Sequence, residues 1–156
     1  MKATVVTASN RAAAGVYEDT GGPLIVDALT DLGFEVTGPV VVPDGDPVAD
    51  AIRAAVEGGA RVVLTTGGTG LTPTDLTPEA TRPFLDREVP GIAEAIRAEG
   101  TAKGVPTAAL SRGLAGVCGQ TLIVNLPGSR GGVKDGLAVV VPLLRHAVEQ
   151  IVGSDH

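Results

Sequence analysis

Residues 64–81, LTTGGTGLTPTDLTPEAT, concentrate the residue types that bind and orient a small anion. Gly67, Gly68 and Gly70 allow the backbone to approach a ligand closely and to point amide groups at it, and the threonines add neutral hydroxyl donors. Asp75 adds a carboxylate, a group that can hold a divalent metal ion beside a phosphate. The composition of this stretch indicates a phosphate-binding loop.

This stretch matches neither standard nucleotide motif. It lacks the lysine of the P-loop, and GTGLTP lacks the third glycine of the dinucleotide fingerprint. Thr77, Pro78 and Glu79 form a typical helix start, with threonine as the cap and an acid in the first turn. Asp75 lies just before that start, so it is either a ligand to a metal or substrate, or a structural acceptor that braces the turn.

The other reactive side chains offer little support for covalent or zinc chemistry. Ser129 in PGSRGG lacks the glycine spacing of a nucleophile elbow. The two histidines, His146 and His156, are far from every predicted strand end, so neither a Ser-His triad nor a zinc cluster is expected. Cys118 is the single cysteine and is interpreted as a small buried apolar residue. Aspartates, hydroxyls, backbone amides and arginines remain, a set that suits phosphoryl or nucleotidyl transfer with a carboxylate-held magnesium ion.

The surrounding pattern predicts an α/β fold. ATVVTA (residues 3–8), FEVTGPVVV (34–42) and RVVLTT (61–66) are short apolar strands, and two segments with helical apolar spacing separate them. This alternation is typical of a parallel sheet with crossover helices. We expect one domain over residues 1–156: three layers, a mostly parallel sheet with helices on both faces, and a C-terminal antiparallel hairpin.

The second half of the chain has its own predicted elements. Helices are expected at about Pro78–Arg87 and Gly91–Glu99. SRGLAGVCGQTLIVNLPG predicts a hairpin that turns near Gly119. The last helix is expected over Val133–Val152, with Pro142 bending or dividing it.

Polar or glycine-rich segments follow four of the predicted strands: TASNR, PDGD, TTGGTG and NLPGS. Ligands of open α/β sheets bind beyond the carboxyl ends of the strands. One cleft at that edge of the sheet is therefore expected to collect all four segments.

Composition restricts the partners. With 156 residues and 44% hydrophobic content, the chain is expected to bury a single core. The formal net charge of -6 and an aromatic content of 2% argue against binding nucleic acid. The sequence shows neither a run long enough to cross a membrane nor a secretory signal pattern, so we expect a soluble, cytoplasmic protein.

The combination of TTGGTGLTPTDLTPEAT with VPDGDP, ALSRG and NLPGS resembles the MogA/MoaB family of molybdenum-cofactor biosynthesis, the molybdopterin adenylyltransferases. The resemblance extends in order over essentially the whole chain. It implies that magnesium, ATP and molybdopterin react to give adenylyl-molybdopterin and pyrophosphate. It also implies assembly as a homotrimer or a hexamer, and delivery of the product to a molybdenum insertase.

The resemblance assigns roles to individual residues. Asp44 and Asp75 take the two acidic active-site positions, as catalytic residues and magnesium ligands, with Asp75 the indispensable one. The substrate- and nucleotide-binding positions are Thr7, Ser9, Arg11, Thr66, Gly67, Gly68, Thr69, Gly70, Ser111, Arg112, Asn125, Pro127, Gly128 and Ser129. Structural alternatives remain: Asp44 as an ordinary turn residue, Asn125 as the close of a strand, and Arg112 as an exposed charge.

Two other functions stay open. A non-catalytic paralogue would bind molybdopterin as a carrier or scaffold without adenylating it. A nucleotide-hydrolysing domain of the kind fused in competence-damage proteins would cleave a pyrophosphate bond and ignore molybdopterin. The presence of both Asp44 and Asp75 favours the adenylyltransferase over the first alternative, and the spacing of GLTPTDLTPEAT favours it over the second.

Overall fold

The computed structural model describes residues 1–154, which form six strands and six α-helices. The strands are β1 (Lys2–Ala8), β2 (Glu35–Val42), β3 (Val62–Thr66), β4 (Arg87–Glu88), β5 (Ala115–Cys118) and β6 (Thr121–Leu126). The helices are α1 (Asn10–Ala13), α2 (Gly21–Asp31), α3 (Asp46–Glu57), α4 (Thr77–Thr81), α5 (Pro90–Ala102) and α6 (Arg130–Ile151). Short 3-10 helices cover Arg82–Phe84 and Pro106–Leu110.

All six strands form one sheet in the order β2-β1-β3-β6-β5-β4. Strands β2, β1, β3 and β6 are parallel, with Val5 opposite Leu64 and Leu64 opposite Val124. Strand β5 returns antiparallel to β6, and β4 is antiparallel to β5. The turn between β5 and β6 contains Gly119 at φ 58°. The mostly parallel sheet and the C-terminal hairpin are therefore confirmed.

Alternating strand side chains fill a core on each face of the sheet, which gives the three predicted layers. The core under α2, α5 and α6 includes Val5, Val62, Leu64, Ile25, Leu29, Ile96 and Leu144. The core under α3 includes Val6, Val63, Ile123, Val48 and Ile52. Because successive residues of β1 and β3 belong to opposite cores, these strands are apolar over most of their length, and their polar residues are mainly threonines, which are buried.

The helix predicted over Pro78–Arg87 is wrong beyond Thr81. Helix α4 ends there, a 3-10 turn follows, and the chain then pairs with β5 through Asp86 N to Val117 O at 2.8 Å and Val89 N to Ala115 O at 2.8 Å. Pro83 has no N–H for a continuing helix. The two residues of β4 are too few to show a strand pattern in the sequence.

The N-cap predicted for α4 and the predicted division of the last helix at Pro142 need correction. Leu76, not Thr77, occupies the N-cap of α4, and Thr77 is its first, fully buried residue. Helix α6 runs as one element through Pro142 and is not divided. Pro142 and Ala138, whose carbonyl loses its usual helical donor, both lie on the exposed side, where water can solvate that carbonyl.

The residues that the structure describes contain no helix that is long and apolar enough to span a membrane. His146 lies in α6 with its Nε2 atom 3.2 Å from Gln150 Nε2. The prediction for His156 lies outside the described residues.

Candidate active site

The four polar segments follow the carboxyl ends of β1, β2, β3 and β6, as the topology requires. The segments after β1 and β2 are joined by the backbone amide of Asp44, which donates to Asn10 Oδ1 at 2.9 Å. The segments after β3 and β6 are joined by the Thr66 hydroxyl, which donates to Pro127 O at 2.7 Å. These hydrogen bonds join the segments in two pairs, and the close approach of Gly67 to Ala8 O brings the two pairs together at one edge of the sheet.

The glycines after β3 let the loop pass closely over its neighbours. Gly67 has φ 89°, and a Cβ there would lie 2.3 Å from Ala8 O. Gly68 has φ 68°, and a Cβ there would lie 2.2 Å from the Thr77 hydroxyl and 2.4 Å from Asp44 Oδ1. Neither position accepts an ordinary side chain, because both the backbone conformation and the available space require glycine.

Asp44 lies beside Gly68 and Asp75 lies beside Gly70. A Cβ on Gly70 would lie 2.8 Å from Asp75 Oδ2, just as one on Gly68 would meet Asp44. The Leu76 amide donates to Asp44 Oδ1 at 3.2 Å, and the Thr72 amide donates to Asp75 Oδ2 at 3.0 Å. Each carboxylate thus receives one backbone hydrogen bond and retains acceptor capacity for a ligand.

The surroundings of Asp44, including its burial and the nearby Asp75 carboxylate, raise its pKa. Burial raises the pKa of Asp44 above its ordinary value, and the negative charge of Asp75 raises it further. The hydrogen bond from the Leu76 amide and the closeness of the Thr77 hydroxyl lower the pKa in part. The Thr77 hydroxyl is fully buried, and it makes no hydrogen bond with any described residue. An added positive charge at this point would relieve the repulsion between the carboxylates.

The raised pKa of Asp44 makes the stability of the protein depend on pH. The native state favours the protonated carboxyl more than the unfolded chain does, so stability falls as the pH rises from the unfolded pKa through the raised native pKa. We expect Asp44→Asn, which keeps an acceptor for the Leu76 amide, to be at least as stable as wild type at pH 7. Between acidic and neutral pH, the thermal midpoint of the variant should fall less than that of wild type. Thermal unfolding from pH 3 to 7 tests this, and a lower midpoint at pH 7 would contradict it.

A cavity of about 310 Å³ opens on one side of the glycine loop. Eight of the predicted site residues line it: Gly68, Thr69, Gly70, Asp75, Ser111, Pro127, Gly128 and Ser129. The N-terminus of α6 also borders it, where the Ser129 hydroxyl caps the helix by accepting from Gly132 N at 3.0 Å. Helix N-termini of this kind favour anions.

A smaller hollow of about 170 Å³ lies on the other side, lined by Thr7, Ser9, Thr66, Gly67 and Gly128 together with Asp19 and the N-terminus of α2 at Gly21. The two hollows share Gly128, whose Cβ position would be 3.1 Å from Gly67 Cα. The ridge formed by Gly67 and Gly128 therefore separates two compartments that each border a helix N-terminus.

Several predicted residues have contacts that define their local role. Ser9 caps α1 by accepting from Ala12 N at 3.1 Å, and Arg11 lies over the Tyr17 ring at 5.6 Å. Thr7 donates its hydroxyl proton to Asp19 Oδ2 at 2.9 Å. In the smaller hollow, Thr7 can therefore offer a ligand an acceptor but not a donor.

Asn125 lies beneath the site rather than in it. It is buried, its amide nitrogen donates to the hydroxyls of Thr65 at 2.9 Å and Thr81 at 3.1 Å, and its oxygen accepts from Leu114 N at 3.0 Å. It borders neither hollow in the described part of the chain. This position corresponds to the structural alternative, in which Asn125 closes a strand end.

The structure adds residues that the sequence did not single out. Arg97 is the one basic side chain lining the larger cavity within residues 1–154, and it donates to Ser111 O at 3.2 Å and Gly113 O at 3.1 Å. Asp19 accepts from both Thr7 and Gly22 N. Both residues occur in segments without a site motif, and only the folded topology brings them to the cleft.

The fold and the cleft define an α/β domain with a candidate ligand-binding cleft at the carboxyl edge of a mostly parallel sheet. The chain belongs to the family described as "Probable molybdopterin binding domain", whose model matches residues 4–146.

Relatives agree with this membership. The "Molybdenum cofactor biosynthesis bifunctional protein" of Synechococcus elongatus is 42% identical over 99% of this chain, and the match spans 48% of that protein, so the chain is about half its length. The "Molybdopterin adenylyltransferase" of Pyrococcus furiosus is 40% identical over 93% of this chain and 90% of its own. A solved structure titled "anomalous substructure of MogA" is 54% identical, covers 97% of this chain and 99% of its own, and superposes with a TM-score of 0.94.

Proposed function

We propose that this protein is a molybdopterin adenylyltransferase, which transfers AMP from ATP to the terminal phosphate of molybdopterin and releases pyrophosphate. The observation that carries the proposal is the pair of hollows that meet at Gly67 and Gly128 with Asp44 and Asp75 beside them. Two compartments that each border a helix N-terminus suit two anionic substrates that must be held end to end. The name of the relative from Pyrococcus furiosus supports the same activity.

Magnesium fits the two carboxylates. Protein sites for this ion commonly use one or two carboxylates and take the remaining ligands from water and substrate phosphates. Residues 1–154 contain no cluster of three or more metal-binding side chains, so water and phosphate oxygens would complete the shell. Asp44 and Asp75 would hold the ion, which when bound would neutralise charge that develops on the pyrophosphate.

The residues of the chain would act by positioning. In the transfer, an oxygen of the molybdopterin phosphate forms a bond to the α-phosphorus of ATP while the bond from that phosphorus to pyrophosphate breaks. A phosphate monoester is largely ionised near neutral pH, so the nucleophile needs no general base. The backbone amides of the glycine loop and the N-termini of α2 and α6 would hold the phosphates in line.

Assembly and location follow from the same proposal. We expect a homotrimer or hexamer in the cytoplasm, with adenylyl-molybdopterin passed on to a molybdenum insertase. The greater length of the bifunctional relative is consistent with fusion of two consecutive steps in one chain.

The direct test mixes the purified protein with molybdopterin, ATP and magnesium chloride and follows pyrophosphate release and AMP attached to the pterin. We expect both products, and we expect neither when molybdopterin is omitted. Pterin binding without AMP transfer would instead support the carrier. Pyrophosphate-bond cleavage without molybdopterin would support the nucleotide hydrolase, and either result would overturn the proposal.

A further inference from the structure

The Arg112 side chain is hydrogen-bonded to the loop that carries Asp75. Its Nε atom donates to Gly70 O at 2.9 Å, and Nη2 donates to Asp75 O at 2.8 Å. The Arg112 backbone amide adds a hydrogen bond to Thr69 O at 2.8 Å. One arginine therefore joins the first and last residues of the loop 70–75.

Glu79 holds the same guanidinium from the other side. Nη1 donates to Glu79 Oε2 at 2.7 Å, and Nη2 donates to Oε1 at 3.1 Å, which is a two-pronged pair. These hydrogen bonds lower the pKa of Glu79 below its ordinary value. Glu79 is in the first turn of α4, so the pair attaches the loop to a helix of the α3 face of the sheet.

Hydrogen bonds within the loop 70–75 hold the Asp75 carboxylate in place relative to the loop backbone. Between its ends, Asp75 N donates to Thr72 O at 3.0 Å, and Thr72 N donates to Asp75 Oδ2 at 3.0 Å. This small turn fixes the carboxylate relative to the loop, but it does not fix the loop relative to the sheet. Arg112 supplies a second constraint through the carbonyl of Asp75 itself, beside the Leu76 amide that donates to Asp44 Oδ1.

We propose that Arg112 is a positioning residue, which with Glu79 holds the Asp75 loop in its reactive place and does not bind the pterin. The inference rests on the proposed function in one respect, the catalytic role of Asp75. It differs from the role that the family resemblance implies, in which Arg112 lines the pterin pocket. Arg112 does not border the larger cavity of the described chain, whereas its neighbour Ser111 does.

Lysine is the informative replacement at this position. It keeps the positive charge, but it is a point charge on a flexible stem and cannot reproduce the planar fork that reaches Gly70 O, Asp75 O and both Glu79 oxygens. We expect Arg112→Lys to lower kcat by about 10- to 100-fold, as small displacements of a catalytic group do. The KM for molybdopterin and its dissociation constant should stay within about twofold of wild type.

The matched control is Arg53→Lys. Arg53 also forms an ion pair on the surface, with Asp50 at 3.1 Å, but lies on α3 outside both hollows. It should leave kcat unchanged. A raised KM with normal kcat in Arg112→Lys would show a pterin contact and overturn the proposal, and so would an unchanged kcat.

Glu79→Gln provides a second route if Arg112→Lys does not fold. It keeps one oxygen acceptor and removes the charge, so we expect a smaller fall in kcat, again without a change in KM. If both variants fold, their effects in the double variant should be non-additive, because the two side chains act as one unit. Additive effects would overturn the proposal.

Hydrogen exchange separates this inference from the proposed function. If the wild type transfers no AMP, the proposed function fails, yet the attachment of the loop can still be measured. The amides of residues 69–76 should exchange faster in Arg112→Lys than in wild type or in Arg53→Lys. If Arg112→Lys does not fold, the same comparison is made with Glu79→Gln. Unchanged exchange in that segment would overturn the role of Arg112.

Discussion

Asp75→Asn is expected to reduce adenylyl transfer by at least about 100-fold, a loss typical of removing a preorganised charged group from a catalytic site. The asparagine oxygen can still accept from Thr72 N, which lies 3.0 Å from Asp75 Oδ2 in the native loop. The variant should therefore keep its fold and bind molybdopterin normally. The measurement is the rate of AMP transfer as a function of magnesium concentration, and the variant should need more magnesium to reach its lower maximum.

Asp27→Asn is the matched control for this change. Asp27 is exposed on α2, so the same replacement there should leave the rate and the magnesium requirement unaltered. Full activity of Asp75→Asn would refute the assigned role. Loss of activity together with loss of thermal stability would point to the structural alternative, in which Asp75 only braces the turn.

Gly67→Ala is expected to have the largest effect on stability. The new Cβ would lie 2.3 Å from the backbone oxygen of Ala8, and the residue would have to adopt φ 89°. A strained backbone and a forced shift in a packed region each cost about 1–3 kcal/mol, so we expect a loss of about 3 kcal/mol or more. Urea unfolding measures the loss, and activity should also fall because the ridge between the two hollows moves.

Two alanine controls separate the causes. Gly131→Ala in α6 meets no atom within 4 Å and needs no positive φ, so it should be neutral or slightly stabilising. Gly119→Ala also has open space but φ 58°, so it should report the backbone strain alone, about 1–2 kcal/mol. If Gly67→Ala cost no more than Gly119→Ala, the close approach to Ala8 would not constrain the loop.

The predictable parts of the fold and site are those with local signals. Buried strands such as β3 begin as continuous apolar runs, and the loop after β3 is marked by its closely spaced glycines. Those signals led to the correct sheet and to the correct edge for the cleft. The same local reasoning placed Thr77 at a helix cap, where Leu76 in fact lies. A buried hydroxyl beside Asp44 depends on a contact between residues 33 positions apart, and no local pattern encodes it.

The role of Arg112 shows a second limit of the same kind. A basic residue in a site motif is readily interpreted as a ligand for phosphate, because the sequence shows its charge but not its partners. In the structure those partners are Glu79 and two backbone carbonyls of the loop. Asp19 and Arg97 reach the cleft through topology alone.

The contacts of Asn125 have a consequence for how the cleft meets its ligands. One buried amide joins β3 through Thr65, α4 through Thr81 and the segment before β5 through Leu114. Parting any two of these segments would strand a polar group in the apolar interior, which is costly. The floor of the cleft is therefore stiff, and adjustment to a bound molecule must come from the rim. A receptor with a stiff floor loses little conformational freedom on binding, so more of its contact energy remains available for distinguishing one ligand from another.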